Sequence, residues 1–424
     1  MNRIVFAVDI GTSSLKAALI SVDGTIVAYS RIRFLPGTRT ARDWERAFFT
    51  AWETVCATVK PDAISVSGNG PTLVGVMEGT ASGLLMWNDR VPDTEYTGRS
   101  IFMPRIEAYR KMFPDQYSRL SLLMSGPEYL VYLLSGSAVT ILPDTRYESA
   151  YWTAEDAGLL PDSSVLPPFT PPAVIAGYTR TILADGRSSP LPAGIPVVTG
   201  GPDFYTALVG TATLHPAQAC DRAGTSEGLN LCTEQPLNCQ GIRTLPGVLP
   251  GLWNASWLLN ETGADFHRYR QESGKSAVSY PELLAEIEAS PIIPRNGEQL
   301  HPGRYNVEKI GFAVREGIEA LKKASAHESE YRLSGGQARN EIWNQMKADM
   351  TGTVFLLTGT ADGELMGDAI LGFTALGDFR TIEEAASAMV RIHRRYEPDP
   401  DRYRLYTEKY EYLLDTGKHD LPHL

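Results

Sequence analysis

Apolar residues at the start of the chain fall in short runs. Ile4 to Val8 ends at Asp9, Leu15 to Ile20 follows a small hydroxyl-rich turn, and Ile26 to Tyr29 follows Asp23-Gly24. Runs of this length, bounded by turn residues, predict strand, turn, strand, turn, strand, with Asp23-Gly24 closing a hairpin. The spacing then changes. Trp44, Ala47, Phe48, Ala51, Trp52, Val55 and Val59 recur every three or four positions. This predicts a helix over Asp43 to Val59, capped by Asp43 and stopped by Pro61. Ala63 to Ser67 reads as a short buried strand opening into Gly68-Asn69-Gly70-Pro71. A loop that leaves a strand end is a common ligand position in an α/β domain.

Strand and helix patterns continue to alternate. Helices are expected at Ile101 to Phe113 and Ser121 to Leu134, and a strand at Ile195 to Thr199 that runs into Gly200-Gly201-Pro202-Asp203. The five prolines between 161 and 172 suit a linker or a long surface loop. A domain boundary is placed after residue 211, giving domains 1–211 and 212–424. In the second, Ala219 to Ala223 delivers Gly224-Thr225-Ser226, and Leu229 to Leu231 continues as a strand. Helical spacing covers Ile310 to Lys323, the segment after Gln337 through Met350, and Leu365 to Leu376. Thr381 with Glu384 predicts a capping box, and the last forty residues are expected to be helical. No fixed period relates the halves, although each begins with strands and a small-residue loop.

A chain of 424 residues, 43% hydrophobic and 21% charged, can bury two full cores. Its net charge of −11, without a Lys/Arg block, argues against a nucleic-acid partner. The N-terminal apolar run is too short for a signal peptide, and no stretch reaches membrane-spanning length. The expectation is a cytoplasmic protein with no membrane partner. Cys56, Cys220, Cys232 and Cys239 lack C-x-x-C spacing and read as reduced thiols. No H-x-H pair occurs, and only His419 and His423, near the end of the sequence, stand at H-x-x-x-H spacing; a histidine metal site is not expected.

Candidate chemistry begins at Asp9-Ile10-Gly11-Thr12-Ser13-Ser14. Gly11 admits a close anion, while turn amides with the Thr12 and Ser13 hydroxyls can bind its oxygens. Lys16 adds positive charge, and Asp9 sits where a carboxylate can hold hydrated Mg²⁺. An ordinary hairpin explains the same turn, and no Walker loop occurs in it. Three further segments follow in order: Gly-Gly-Pro-Asp at 200–203, Gly-Thr-Ser at 224–226 and Ser-Gly-Gly-Gln-Ala at 334–338. Each has a plain reading as a cap or a turn, and Trp87 has one as core.

Taken together, these segments resemble the FGGY carbohydrate kinase family, over most of the chain. The resemblance implies an α/β fold of two ribonuclease H-like (actin-like ATPase) domains flanking a catalytic cleft, with ATP and Mg²⁺ as cofactors. It implies Asp203 as catalytic base and Asp9 as metal-linked carboxylate. Gly11, Thr12, Ser13, Lys16, Gly224 and Thr225 would meet phosphate, and Gly335, Gly336, Gln337 and Asn340 would meet the adenosine side. Asn69, Gly70, Thr72, Trp87, Asn88, Asp203 and Phe204 would line the acceptor site. The partner implied is a small sugar or polyol, with a pentulose such as xylulose the leading candidate. A homodimer is left open.

The sequence also departs from the family pattern. Pro71-Thr72 stands where xylulokinases usually carry Met-His, Gly-Gly-Pro-Asp203-Phe204 where Gly-Gly-Gly-Asp-Asn is frequent, and Arg105 where Lys commonly follows Pro. The stretch from Ile292 to Val307 lacks the usual Glu-Arg-x-Pro segment. The rivals are a kinase for another polyol or sugar-like molecule, and a nucleotide-binding sensor on the same fold without transfer activity.

Overall fold

The opening strand, Ile4–Ile10, is buried along nearly its whole length. A strand with one solvent face cannot be, so both faces of its sheet must be covered. In the computed structural model, which describes residues 3–35, 37, 39–293 and 301–415, they are. The helix Ala41–Val55 lies on one face, where Phe6 meets Phe48 and Trp52 edge to face at 5.7 and 5.4 Å. The helix Gly363–Ala375 covers the other and packs on Ile4–Ile10, Ala63–Gly68 and Pro196–Pro202. Gly372 permits that approach, because a Cβ there would stand 2.8 Å from the Val5 side chain.

The chain forms two compact units, Met1–Ala212 with Gly363–Val390, and Thr213–Asp362 with Arg391–Leu424. The sheet of the first runs, edge to edge, Ile175–Tyr178, Pro196–Pro202, Ala63–Gly68, Ile4–Ile10, Ser14–Ser21, Ile26–Arg33. The first three strands in sequence are antiparallel neighbours, and Ala63–Gly68 and Pro196–Pro202 add in parallel. The sheet of the second runs Arg243–Pro246, Trp253–Leu259, Glu227–Thr233, Ala219–Ala223, Tyr331–Ser334, Phe355–Thr358, Ile392–Tyr396. Again an antiparallel trio is extended by two parallel strands. Both units thus have the ribonuclease H-like strand order. Each parallel addition requires a crossover, and a helix supplies it.

Most expected elements are present, with shifted ends. The first helix spans Ala41–Val55 and its N-cap is Thr40, not Asp43; Asp43 is the third residue of the helix, and its carboxylate accepts from the Thr40 amide at 2.8 Å. Ser121 to Leu134 is not one helix. Leu122–Met124 pairs with Leu73–Met77 as a strand, and the helix Gly126–Ser135 starts at Ser125, which forms a capping box with Glu128. The proline-rich segment at 161–172 lies within the first unit as a loop with a short strand, Phe169–Thr170. The chain's end is not wholly helical, since Ile392–Tyr396 adds to the second sheet before the helix Pro400–Asp415. Residues 416–424 of that tail, and 294–300 of the stretch lacking Glu-Arg-x-Pro, lie outside the described residues.

Phe48 is fully buried between the first helix and Phe6. Phe48→Ala is expected to cost about 3–5 kcal/mol, the usual range for removing a buried aromatic ring. Chemical unfolding followed by circular dichroism measures it, and a loss under about 1 kcal/mol would mean the site collapses around the deletion.

Candidate active site

Asp9 and Lys16 face each other across the first hairpin, as direct partners in the antiparallel register. Lys16 Nζ lies 3.3 Å from Asp9 Oδ2. Only the Gly11–Ser13 turn separates the two strands, and the Gly11 amide closes it by donating to the Ser14 carbonyl at 3.0 Å. Thr12 and Ser13 project from that turn, Ser13 exposed and Thr12 half-buried. Glu364, in the first turn of the helix on that face, brings Oε2 to 3.9 Å from Lys16 Nζ. Asp9 Oδ1 and Glu364 Oε2 are both buried and have no hydrogen-bond partner among the described residues. Burial pushes the Asp9 carboxyl up to about 7; Lys16 opposes this, and Glu364 and Asp203 add to it. Mg²⁺ favours one or two carboxylates with water and phosphate oxygens completing its shell. Asp9, with Glu364 beside it, fits that requirement.

Asp203 opens the helix Asp203–Gly210, directly after the strand Pro196–Pro202. Its Oδ1 accepts from the Phe204 amide at 2.7 Å, and the residue is half-buried. Pro202 pairs with Gly68, so Asp203 emerges beside the strand end that leads into Asn69. Phe204 is half-buried, its ring 6.1 Å from that of Tyr147.

Asn69, Thr72 and Trp87 form a hydrogen-bonded cluster with Thr12. Its hydroxyl oxygen accepts from Asn69 Nδ2 at 3.0 Å and from Trp87 Nε1 at 2.9 Å. Thr72 Oγ1 donates to Asn69 Oδ1 at 3.3 Å and accepts from the Trp87 amide at 3.1 Å. Trp87 is therefore not core; it is 40% exposed and anchored by its indole N–H. Gly70 and Asn88 are exposed beside this cluster. Nearby, Arg105 is buried and donates to the Met86 carbonyl.

In the second unit the Gly224–Ser226 turn joins Ala219–Ala223 to Glu227–Thr233 and is exposed. The carbonyl of Thr225 accepts from the Gly263 and Ala264 amides, both at 3.1 Å, at the start of the helix Thr262–Glu272. Gly263 must lack a side chain there, because a Cβ would come within 2.0 Å of the Gly224 carbonyl oxygen. Gln337 Nε2 donates to the Gly224 carbonyl at 2.9 Å and to Thr262 Oγ1 at 3.2 Å, and Gln337 Oε1 accepts from Trp343 Nε1 at 2.9 Å. Gly335 takes φ +93°, a backbone that glycine adopts without strain. Gly336 is exposed, and no described atom stands within 4 Å of the Cβ it lacks. Asn340 caps the helix Glu341–Thr351 by accepting from the Trp343 amide at 3.1 Å.

Four residues of these surroundings escape sequence reasoning. Glu364 and Asp368 lie on a helix that reads as apolar filler, and Thr262 and Gly263 lie in no motif. Only the i, i+4 spacing of Glu364 and Asp368, which puts two acids on one helix face, could have signalled the first pair. Asp368 is fully buried and accepts from Ser67 Oγ at 2.6 Å and Ser65 Oγ at 3.2 Å. Burial holds its carboxyl well above the ordinary range; the Ser67 hydrogen bond opposes that, and Asp9 reinforces it.

The model of the FGGY family of carbohydrate kinases, C-terminal domain, matches residues 304–376. An autoinducer-2 kinase of Escherichia coli K12 is 21% identical over 95% of this chain and 92% of its own length. A xylulose kinase of Staphylococcus epidermidis is 23% identical over 97% and 95%. Among solved structures, a ligand-bound xylulose kinase from Lactobacillus acidophilus superposes with TM-score 0.76 at 15% identity, over 98% of each chain. A gluconate kinase from the same organism gives 0.75 at 14% identity, over 100% of this chain and 99% of its own.

The buried acid gives a prediction for stability. An unfolded Asp368 loses its proton in the ordinary carboxylate range, whereas the folded one keeps it to higher pH. Its contribution is complete below the unfolded value and fades as pH rises towards the folded one. Asp368→Asn should therefore keep the fold and flatten the decline of stability that sets in as pH rises above the ordinary carboxylate range. Urea midpoints of both proteins across that range check it; parallel declines would show that Asp368 ionises normally.

Proposed function

We propose that this chain, a member of the FGGY family of carbohydrate kinases, transfers the γ-phosphoryl group of ATP to a hydroxyl of a small sugar or polyol, with Asp203 as general base. The observation that carries the reading is Asp203 itself: a half-buried carboxylate at a strand end, electrostatically coupled to Asp9 and next to the strand that leads into Asn69. Phosphoryl transfer asks the protein for positioning, charge stabilisation and a proton acceptor. A sugar hydroxyl must lose its proton as the new P–O bond forms, and the Asp203 carboxylate is assigned that proton.

The other roles follow from chemistry. Gly11, Thr12, Ser13 and Lys16 are assigned to phosphate oxygens in the first unit, and Gly224 and Thr225 in the second. Gly335, Gly336, Gln337 and Asn340 are assigned to the adenosine side. Asp9 would hold Mg²⁺, with Glu364 beside it; when bound, the cation neutralises phosphate charge. Asn69, Gly70, Thr72, Trp87, Asn88 and Phe204 are assigned to the acceptor.

The relatives' names span xylulose and autoinducer-2, and the solved neighbours add gluconate. A pentulose is the leading acceptor class. Pro71-Thr72 offers a hydroxyl and no imidazole, and proline removes a backbone donor. D-xylulose is accordingly expected to be a weaker substrate than some other ketose or polyol. A panel of acceptors, read by acceptor-dependent ADP release, tests this; D-xylulose leading by a wide margin would contradict it. The absence of release with every acceptor would favour a nucleotide-binding sensor.

Asp203→Asn keeps the shape and removes the base. It is expected to lower kcat by at least about 10²-fold while MgATP and acceptor still bind by calorimetry. Near-normal turnover in a folded variant would return Asp203 to the role of a helix-start residue.

A further inference from the structure

Beneath the Gly224–Ser226 turn lies a buried charge cluster with no part in the roles assigned so far. Asp221 and Glu227 stand on the two strands that the turn joins, and Lys347 reaches them from the helix Glu341–Thr351. All three side chains are completely excluded from solvent. The ammonium forms a close ion pair with Asp221 and lies 3.4 Å from Glu227 Oε1. One ammonium neutralises one carboxylate, so a second ionised carboxylate would leave a net negative charge in a site closed to solvent. The stable composition is Lys347 charged, Asp221 ionised and Glu227 a neutral acid.

The groups packed around Glu227 agree. Burial, and then Asp221, push its carboxyl up to about 8, against the pull of Lys347. The Lys347 ammonium is disfavoured by burial, yet Asp221 and Glu227 together raise it. Tyr331, on the neighbouring strand, faces Asp221, and burial raises its own phenol further still. On the remaining side stands the uncharged Thr262.

The cluster is connected to the nucleotide side. Thr262, beside Glu227, accepts from Gln337, which also holds the Gly224 carbonyl. Glu227 is itself the residue that follows Ser226, and it pairs in register with Ala223 at the base of the turn.

We propose that Glu227 is a positioning residue for the triphosphate: as a neutral acid it leaves the underside of the Gly224–Ser226 turn uncharged, and its ionisation makes that underside net negative and weakens MgATP binding. This rests on the reading that the turn meets phosphate. An added unit charge within about 10 Å of a triphosphate, at the effective dielectric of a protein, weakens binding by about tenfold.

The test is the KM for MgATP, with its dissociation constant by calorimetry, across pH in the full-length protein. In the wild type both should rise by about tenfold as pH passes through about 8, beyond any change in kcat. Glu227→Gln, neutral at every pH, should match the wild type at neutral pH and lose the alkaline rise. Asp221→Asn is the second variant. It leaves Lys347 a single carboxylate partner, so Glu227 ionises at lower pH and the inflection near 8 disappears. A Glu227→Gln protein that keeps the wild-type rise overturns the proposal. So does wild-type binding that is independent of pH while acceptor-dependent ADP release is intact. Failure to bind MgATP at any pH removes the kinase reading and this inference with it.

Discussion

Charge burial at the end of a doubly covered strand governs the first unit. Asp9 continues the buried strand Ile4–Ile10, so its carboxyl leaves water together with the apolar residues before it. Antiparallel pairing places Lys16 opposite, and the helix that closes the face adds Glu364 and Asp368. Isolated charges would not survive there. The hairpin register supplies the compensating ammonium, and the serines of Ala63–Gly68 supply hydrogen bonds to Asp368. Asp9 Oδ1 and Glu364 Oε2, left without a hydrogen bond among the described residues, are a pair of oxygens suited to a hydrated cation.

The second unit meets the same constraint with different residues. Its first two strands carry acids at the base of an exposed small-residue turn, and a lysine pairs with one of them and lies beside the other. In the first unit that lysine lies on the hairpin; in the second it comes from a helix more than a hundred residues along. The shared strand order is plain in the two sheets. It leaves no fixed period in sequence, because the connections differ in length and the compensating charges come from different places.

Much of the fold was legible because its signals are local. The three opening strands, the strand before Asn69 and the helix around Trp44 follow from apolar spacing and turn residues. The structure departs from the local pattern where a signal is short or where packing overrides it. Ser125-Gly126-Pro127-Glu128 is a helix start, so the apolar residues before it form a strand. Ile392–Tyr396 is exposed at its first four positions and has no apolar alternation, so only the neighbouring strand turns it into sheet. Among the candidate site residues, short motifs marked Thr12, Asn69, Trp87 and Gln337. The hydrogen bonds of Thr12 with Asn69 and Trp87, and those of Gln337 with Gly224 and Thr262, were not legible, since each joins distant segments. Glu364, Asp368, Lys347 and the return of residues 363–390 to the first unit depend on tertiary packing alone.

The central claim is that a phosphoryl group passes from ATP to an acceptor hydroxyl. The most direct measurement supplies ATP labelled at the γ-phosphorus with a panel of ketoses, polyols and related acceptors, and then locates the label. The account predicts label in a phosphate ester of one or a few acceptors, with ADP formed in equal amount. Label that stays in ATP, or appears only as inorganic phosphate whichever acceptor is present, would contradict it.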